Sequence, residues 1–396
     1  MKRTCSLIFS FVVMLVCLSS CEETAPLPNI DITSNSIPRD HKIPCFIYYS
    51  DNGDLKKEDA QVKWRGGISC LYPKKSYTFK MKHKKSLAGL PKQRSFILNA
   101  NYIDKTMMRH KLCFDLFREM NPEKNLASHC AYVTVSLNGT YHGLYVLMQK
   151  LNAGSLGLDK GDSTAMIFKD PPLFRGENRL EQRWVQEPGN YFQQNYPDIE
   201  DDNRNDYLEE LMQFMIHADD STFAQEIGKF FDLDNIIDWQ LLLMFTDNGD
   251  GVLKNFYLYK RDSLTPFRIA IWDYDDAFGR DGTGELKTAE HLPDLDRCLI
   301  LSRLQNNPYL DYGTLLRQRY EELRDSGVFS KAHLEAMIRE NDRIISKEVK
   351  RNFKRWPVDG YGYEDASQYE DELKVMRRYF DTHIPVLDEA LGYNKK

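Results

Sequence analysis

An Asn-Gly pair at positions 138–139 separates two strand-forming runs, residues 131–137 and 141–148. Asn and Gly tolerate the positive φ angles that a two-residue hairpin turn demands. The pair therefore commits both runs to an antiparallel sheet. Similar signals surround it. Residues 43–50 form an apolar-aromatic run closed by Asp51-Asn52-Gly53, and residues 61–64 and 76–81 read as further strands. Residues 103–120 differ: Met108, Leu112, Leu116 and Met120 recur at helical spacing, with Asp104 as the candidate N-cap.

The second half has another character. Residues 170–205 carry Pro171-Pro172 and many Asn, Gln and Asp, and read as an insertion or long loop. From Tyr207 helical patterns dominate. Residues 235–245 form an apolar helix, two strands follow, and helices run from about 295 to 390 with a break at 356–363. No internal repeat is found. The layout is α+β, with a sheet-rich first half (43–165) and a helix-rich second half (206–392).

The first twenty residues are set apart. Lys2 and Arg3 precede an apolar run, 7–18, broken only by Ser10. Such a run suits a signal-peptide core and falls short of the roughly 20 residues a spanning helix needs. It ends in Leu18-Ser19-Ser20-Cys21, which resembles a bacterial lipoprotein signal with lipid carried on Cys21. Residues 1–20 are then the signal, 21–42 the lipidated cysteine and a spacer, and 43–392 the folded domain. Glu22 and Glu23 resemble a surface-export signal of Bacteroidetes-like lipoproteins. The expected location is the cell envelope, lipid-anchored to the outer membrane and surface-exposed.

Loss of Lys2 and Arg3 takes the formal charge from −6 to −8. That balance argues against general nucleic-acid binding, which needs a basic face. Cys45, Cys70, Cys113, Cys130 and Cys298 remain, an odd set with no zinc spacing.

Residues 247–279 carry the strongest chemical signal. Asn255 to Lys260 and Arg268 to Trp272 read as a hairpin with a seven-residue loop. Lys260 would then pair with Arg268, and Asn255 would lie opposite Asp273. Directly opposed residues have Cβ atoms about 5 Å apart. An amide oxygen and a carboxylate that close are hard donors suited to Mg²⁺. Asp250 precedes Asn255 by the D-x-x-x-x-N spacing of the protein-kinase catalytic loop. The same residues also read as an Asx-rich turn capping a strand. Upstream, Lys75 shares a face with Tyr77, Phe79 and Met81. A lysine there either meets an anionic partner or snorkels to water.

Taken in order, these segments resemble the spore-coat protein H (CotH) kinase-like family. Arg65-Gly66-Gly67-Ile68-Ser69 with Pro73-Lys74-Lys75-Ser76-Tyr77 is similar to its R-G-N-S…P-K-K-S-Y stretch. Asn101-Tyr102-Ile103-Asp104-Lys105 with Arg109-His110-Lys111-Leu112 resembles its Y-I-D-K…R-N-K-L helix. Residues 137–145 resemble its L-N-G-x-Y-x-G-x-Y hairpin. Residues 250–259 and Ile271-Trp272-Asp273-Tyr274-Asp275 resemble its D…K-N-x-Y-L-Y and P-W-D-Y-D segments. The likeness covers about residues 43–280.

The resemblance implies an atypical two-lobed kinase-like fold, ATP, and Mg²⁺ or Mn²⁺. It implies Asp250 as catalytic residue, Asp273 as metal ligand, and Asn255 and Asp275 as auxiliary metal or positioning residues. Lys75 would be the phosphate lysine, with Lys74 as fallback. Arg65 and Arg109 would contact phosphate or form structural salt bridges. The acceptor would be a protein Ser/Thr or another hydroxyl. Two departures bear on activity: Gly67 stands where the family has Asn, and Gln149 where it often has Glu. The other readings from the sequence are a non-catalytic kinase-like lipoprotein that binds a protein or glycan, and metal-dependent phosphoester hydrolysis through Asp273 and Asp275.

Overall fold

The computed structural model describes residues 26–51, 53–175, 189–281, 285–288, 290–358 and 367–394. The signal segment, Cys21, and the middle of the 170–205 region lie outside them. Five strands come first: β1 (Asn29–Thr33), β2 (Ile43–Asp51), β3 (Asp54–Arg65), β4 (Ser76–Lys85) and β5 (Gln93–Asn99). Helix α1 (Arg109–Met120) follows, then β6 (Leu126–Ala127), β7 (Cys130–Leu137) and β8 (Thr140–Gln149). Next come β9 (Met166–Lys169), β10 (Gln194–Tyr196), α2 (Asn205–His217), α3 (Asp220–Phe230) and α4 (Leu233–Thr246). Strands β11 (Phe256–Lys260) and β12 (Arg268–Ile271) precede α5 (Leu299–Asn306), α6 (Tyr312–Asp325), α7 (Lys331–Arg355) and α8 (Tyr369–Ala390).

The α+β layout holds, and the Asn-Gly turn forms: Asn138 has φ 49° and Gly139 φ 76°, joining β7 to β8. The sheet does not stay open, however. Its strands close into a barrel in the order β1-β2-β3-β4-β5-β8-β7. Closure depends on β1, which pairs antiparallel with β2 and parallel with β7. Residues 29–33 had read as spacer. Ile30 and Ile32 instead point into the barrel core and are fully buried. The signal is faint because it is only two alternate isoleucines among polar residues.

A larger core fills the second half and reaches the outer face of the barrel through Leu144, Val146 and Met148. At its centre α4 is buried from Asn235 to Thr246. A helix buried all round must satisfy its polar groups internally. Asn235 donates to Asn125 Oδ1 (3.0 Å) and accepts from the Ile269 amide (2.6 Å), while Asp238 is held by Arg319 (2.7 Å). The same core includes a five-stranded sheet, β10-β9-β11-β12-β6, of which only β11 and β12 come from residues 206–392. The described parts of the 170–205 region belong to this fold: Leu173, Phe174 and Phe192 are buried, and β10 pairs with β9.

Helix α7 ties the two halves together. Asn352 Oδ1 accepts from the Leu144 amide (3.1 Å), and the Trp356 indole donates to the His142 carbonyl. Gly143 permits this approach. It has φ 146°, and a Cβ there would lie 2.9 Å from Asn352 Oδ1 and 3.2 Å from Lys74 Cε.

Two local expectations change. Helix α1 begins at Arg109, not 103, because Asn101 (φ 43°) and Met107 (φ 59°) keep the preceding segment out of helix. Asp104 still satisfies a helix-end donor, accepting from the Arg109 amide at 3.0 Å. The β11–β12 register is one residue from the expected one: Tyr259 pairs with Arg268 and Phe256 with Ile271. The Phe267 amide is taken by the Phe230 carbonyl (2.7 Å), and Lys260 pairs with Met166 of β9. Asn255 therefore faces Trp272, whose amide donates to its carbonyl at 2.8 Å.

Candidate active site

One cleft, of about 460 Å³, lies where the barrel meets the second half. The barrel contributes Arg65 to Gly67 from the end of β3, Lys74 and Ser76 at the start of β4, and Asn99 to Asp104 after β5. Helix α1 adds His110. The second half adds Lys169, Asn255, Trp272, Asp273 and Asp275.

The β3–β4 connection needs glycine at Gly66, which has φ 119° and would place a Cβ 2.1 Å from Ser69 Oγ. Gly67 has open space beside it, so the absence of a side chain there is not a steric requirement.

The lysines exchange places relative to the expectation. Lys74 is buried in the cleft wall. Its ammonium donates to the Ala100 carbonyl (2.7 Å) and to that of Leu144, and stands 4.3 Å from the Tyr145 ring centre. Burial pulls its pKa well below the ordinary value. Lys75 does not line the cleft. Its ammonium donates to the carbonyls of Cys70 (2.7 Å) and Tyr72. Strand alternation correctly places Tyr77, Phe79 and Met81 in the barrel core. It fails for Lys75 because β4 begins one residue later, at Ser76.

On the opposite wall Asp273 and Asp275 approach His110. One donor atom from each of the three lies within 4.8 Å of the others. The Asp273 carboxylate meets His110 Nε2 at 2.9 Å and remains half exposed to the cleft. Asp273 (φ 57°) and Asn255 (φ 65°) both adopt left-handed backbone, which turns them out of the strand ladder. Asn255 donates its amide to the Asp273 carbonyl oxygen (3.1 Å) and does not reach the carboxylate. The expected amide–carboxylate pair is therefore a backbone brace.

The two carboxylates are pushed apart electrostatically. Burial raises both. For Asp273 the hydrogen bond and charge of His110, with Arg65 and Lys169, prevail and lower it. Asp275 lacks that hydrogen bond, and burial together with the Asp273 charge raises it. At His110 burial opposes protonation, but the Asp273 hydrogen bond and the charges of Asp275, Asp273 and Asp104 outweigh it and raise its pKa.

Three other expected residues have distinct settings. Arg65 lines the cleft with its guanidinium 5.2 Å from the Trp272 ring centre. Arg109 lies outside the cleft, fully buried. It pairs with Asp104 (2.7 Å) and Glu372 (3.3 Å) and donates to the Ala277 carbonyl (2.9 Å), a structural clamp. Asp250 does not line the cleft either. Its carboxylate is half exposed and pairs with Lys254 (2.7 Å), and its amide donates to Asp276 Oδ2 (3.4 Å).

Sequence reasoning assigned no role to His110, because its partner lies 163 residues away. It also missed the buried group formed by Asp247, Asp276 and Lys287, in which Lys287 pairs with Asp276 at 2.6 Å. The expectation for Gln149 also changes. It lines a different cleft, at the far end of the barrel, away from Lys74.

A profile of the CotH kinase protein family matches residues 62–383, from β3 into α8. The chain is also similar to the inner spore coat protein H of Bacillus subtilis (strain 168), with 28% identity over 339 residues, 85% of this chain and 88% of that protein. The matched span contains the entire cleft, and the protein therefore belongs to the CotH kinase protein family.

Proposed function

We propose that the protein is an ATP-dependent phosphotransferase that uses Mg²⁺ or Mn²⁺ and acts on a hydroxyl of a protein Ser or Thr. The observation that carries this reading is the meeting, in one cleft, of a buried lysine from the barrel with two carboxylates from the second half. The barrel and the helical half would then act as the two lobes of a kinase-like enzyme.

The donor set fits such an ion. Asp273 and Asp275 offer hard oxygens, and their mutual repulsion is what a dication relieves. These two residues would hold the metal, which would neutralise charge on a transferring phosphoryl group. His110 fixes the Asp273 carboxylate, and Asn255 fixes its backbone. An ammonium has three donors, and carbonyls take two of those on Lys74. The third would serve a phosphate oxygen, with Arg65 and Lys169 as further cations in the wall. Asp250 keeps the kinase-loop spacing to Asn255 and is the candidate to take the acceptor proton, although it lies outside the cleft lining and pairs with Lys254. The protein acts from the cell envelope, anchored by lipid on Cys21. Among the described residues no helix is long and apolar enough to cross a membrane.

The test is label transfer from ATP by the full-length protein with Mg²⁺ or Mn²⁺, beside Lys74→Met, Asp273→Asn and Asp250→Asn. Transfer by the wild type that all three lose supports the roles given. A wild type that binds no nucleotide overturns the reading.

A further inference from the structure

A second groove, of about 630 Å³, opens at the other end of the same barrel strands. Lys80, Lys84, Lys92, Arg94, Lys150 and Lys160 line it, and no carboxylate does. This is unusual in a chain of net charge −6. Among the described residues none of the six is paired with a carboxylate. Nearby lysines outside the groove are so paired: Lys82 with Asp59, and Lys85 with Glu58. Lys150 shows the resulting stress. Burial first, then the charges of Lys42, Arg65, Lys63 and Lys80, pull its ammonium below the ordinary value.

The wall of the groove carries a second, independent signal. Gln93 is 93% buried, with 7% of its surface exposed, and among the described residues neither its amide nitrogen nor its amide oxygen has a partner. Leaving a buried polar atom unmet is costly, so such a pair points to something that completes it. The β4–β5 register also shifts here, between Lys80 and Lys85, as at a β-bulge.

We propose that this groove is a docking site for an acidic peptide segment. Side-chain carboxylates answer the six cations. A peptide group, with one donor and one acceptor, answers both atoms of Gln93. Simple phosphate supplies acceptors chiefly and leaves the Gln93 oxygen unmet. Strand β5 runs from Gln93 in the groove to Asn99 in the first cleft, a span of about 20 Å. On the phosphotransfer reading, a substrate docked by its acidic segment would present an acceptor roughly six or more extended residues away. Docking itself does not depend on that reading.

The test is fluorescence anisotropy of a labelled Asp/Glu-rich dodecapeptide with the full-length protein, which requires no catalysis. The expected result is binding that exceeds that of a Gln/Asn peptide of equal length and weakens with salt. Combined Lys84→Glu, Lys92→Glu and Lys160→Glu, all at exposed positions, should weaken it about tenfold or more. Gln93→Leu should weaken it several-fold, with an unchanged or higher melting temperature. Lys74→Met should bind the peptide as the wild type does. The proposal is overturned if the acidic and neutral peptides bind alike, or if the charge-reversed protein melts normally and keeps full affinity. It is equally overturned if Lys74→Met loses the peptide, or if tripolyphosphate or a labelled oligonucleotide binds the groove more tightly than the peptide does.

Discussion

Arg109 and Lys74 are both fully buried cations, and the molecule treats them in opposite ways. Arg109 is enclosed by Asp104 and Glu372, and Glu372 is shared with Arg280 and accepts from Ser367. Lys74 meets backbone carbonyls and an aromatic face. The first arrangement is electrically closed and locks α1, α8 and the segment after β12 together. The second leaves an amine with no counter-ion among the described residues, and burial disfavours its charged form, a state that suits a site awaiting an anion. Buried charge alone therefore does not mark function. The marker is whether the charge has been neutralised.

The strongest way to break this contrast is Glu372→Gln. It leaves Arg109 and Arg280 sharing a neutral partner in a buried site. Breaking a buried pair by removing one partner costs about 3–5 kcal/mol. Urea unfolding should show a loss of that size. A loss below about 1 kcal/mol would place Glu372 among weak, screened pairs and undo the contrast.

On the cleft side, the corresponding change is His110→Ala. It removes the group that orients Asp273 while leaving both carboxylates. Outer partners of metal ligands typically contribute 10–100-fold in affinity. Calorimetric titration with Mn²⁺ should show a loss of about that size. Unchanged affinity would mean that the Asp273–His110 contact is structural only.

The sequence made some of this visible and hid the rest for definite reasons. The Asn138-Gly139 turn is encoded by two adjacent residues and was legible at once. Asp273 and Asp275 stand together in a short aromatic-acidic pattern, so they too could be named. The β1 strand could not, because five residues become a strand only when β2 and β7 flank them. The choice between Lys74 and Lys75 turned on where β4 starts, a one-residue matter that face alternation does not resolve. Arg109 stood open between a phosphate contact and a structural salt bridge, and only Glu372, 263 residues away, decides for the salt bridge. Local turn chemistry was readable, whereas β1 and Arg109 depended on partners distant in sequence and Lys75 on a one-residue strand boundary.

His142 sharpens the comparison through pH, because it sits at the seam between barrel and α7. It stacks on Tyr145 and meets Trp356 edge-on, and its carbonyl accepts the Trp356 indole N–H. Burial first, then the charges of Arg355 and Lys74, push its pKa down to about 4. Unfolded His titrates near 6.5. Between those values the unfolded chain binds the extra proton, so folding stability is full above about pH 6.5 and falls as the pH drops toward 4. With allowance for partial exposure, the loss between pH 7.5 and pH 5 should be about 1–2 kcal/mol. Urea midpoints at the two pH values measure it, and His142→Gln should lack this component. An equal acid loss in the variant would assign it to the carboxylates.

The smallest effect on folding is the most discriminating. Lys74→Met keeps the length of the side chain and removes an uncompensated charge. It also leaves the Ala100 and Leu144 carbonyls without their donor. Removing the desolvated ammonium favours the fold, and orphaning the carbonyls disfavours it. The two nearly cancel, and stability should change by less than about 1 kcal/mol. The His142 titration should move up at the same time, because one of the charges that depresses it is gone. Nucleotide binding by the same variant should be lost. A protein as stable as wild type that no longer binds ATP would show that the two buried cations do different work. A loss of several kcal/mol would make Lys74 a second structural clamp like Arg109.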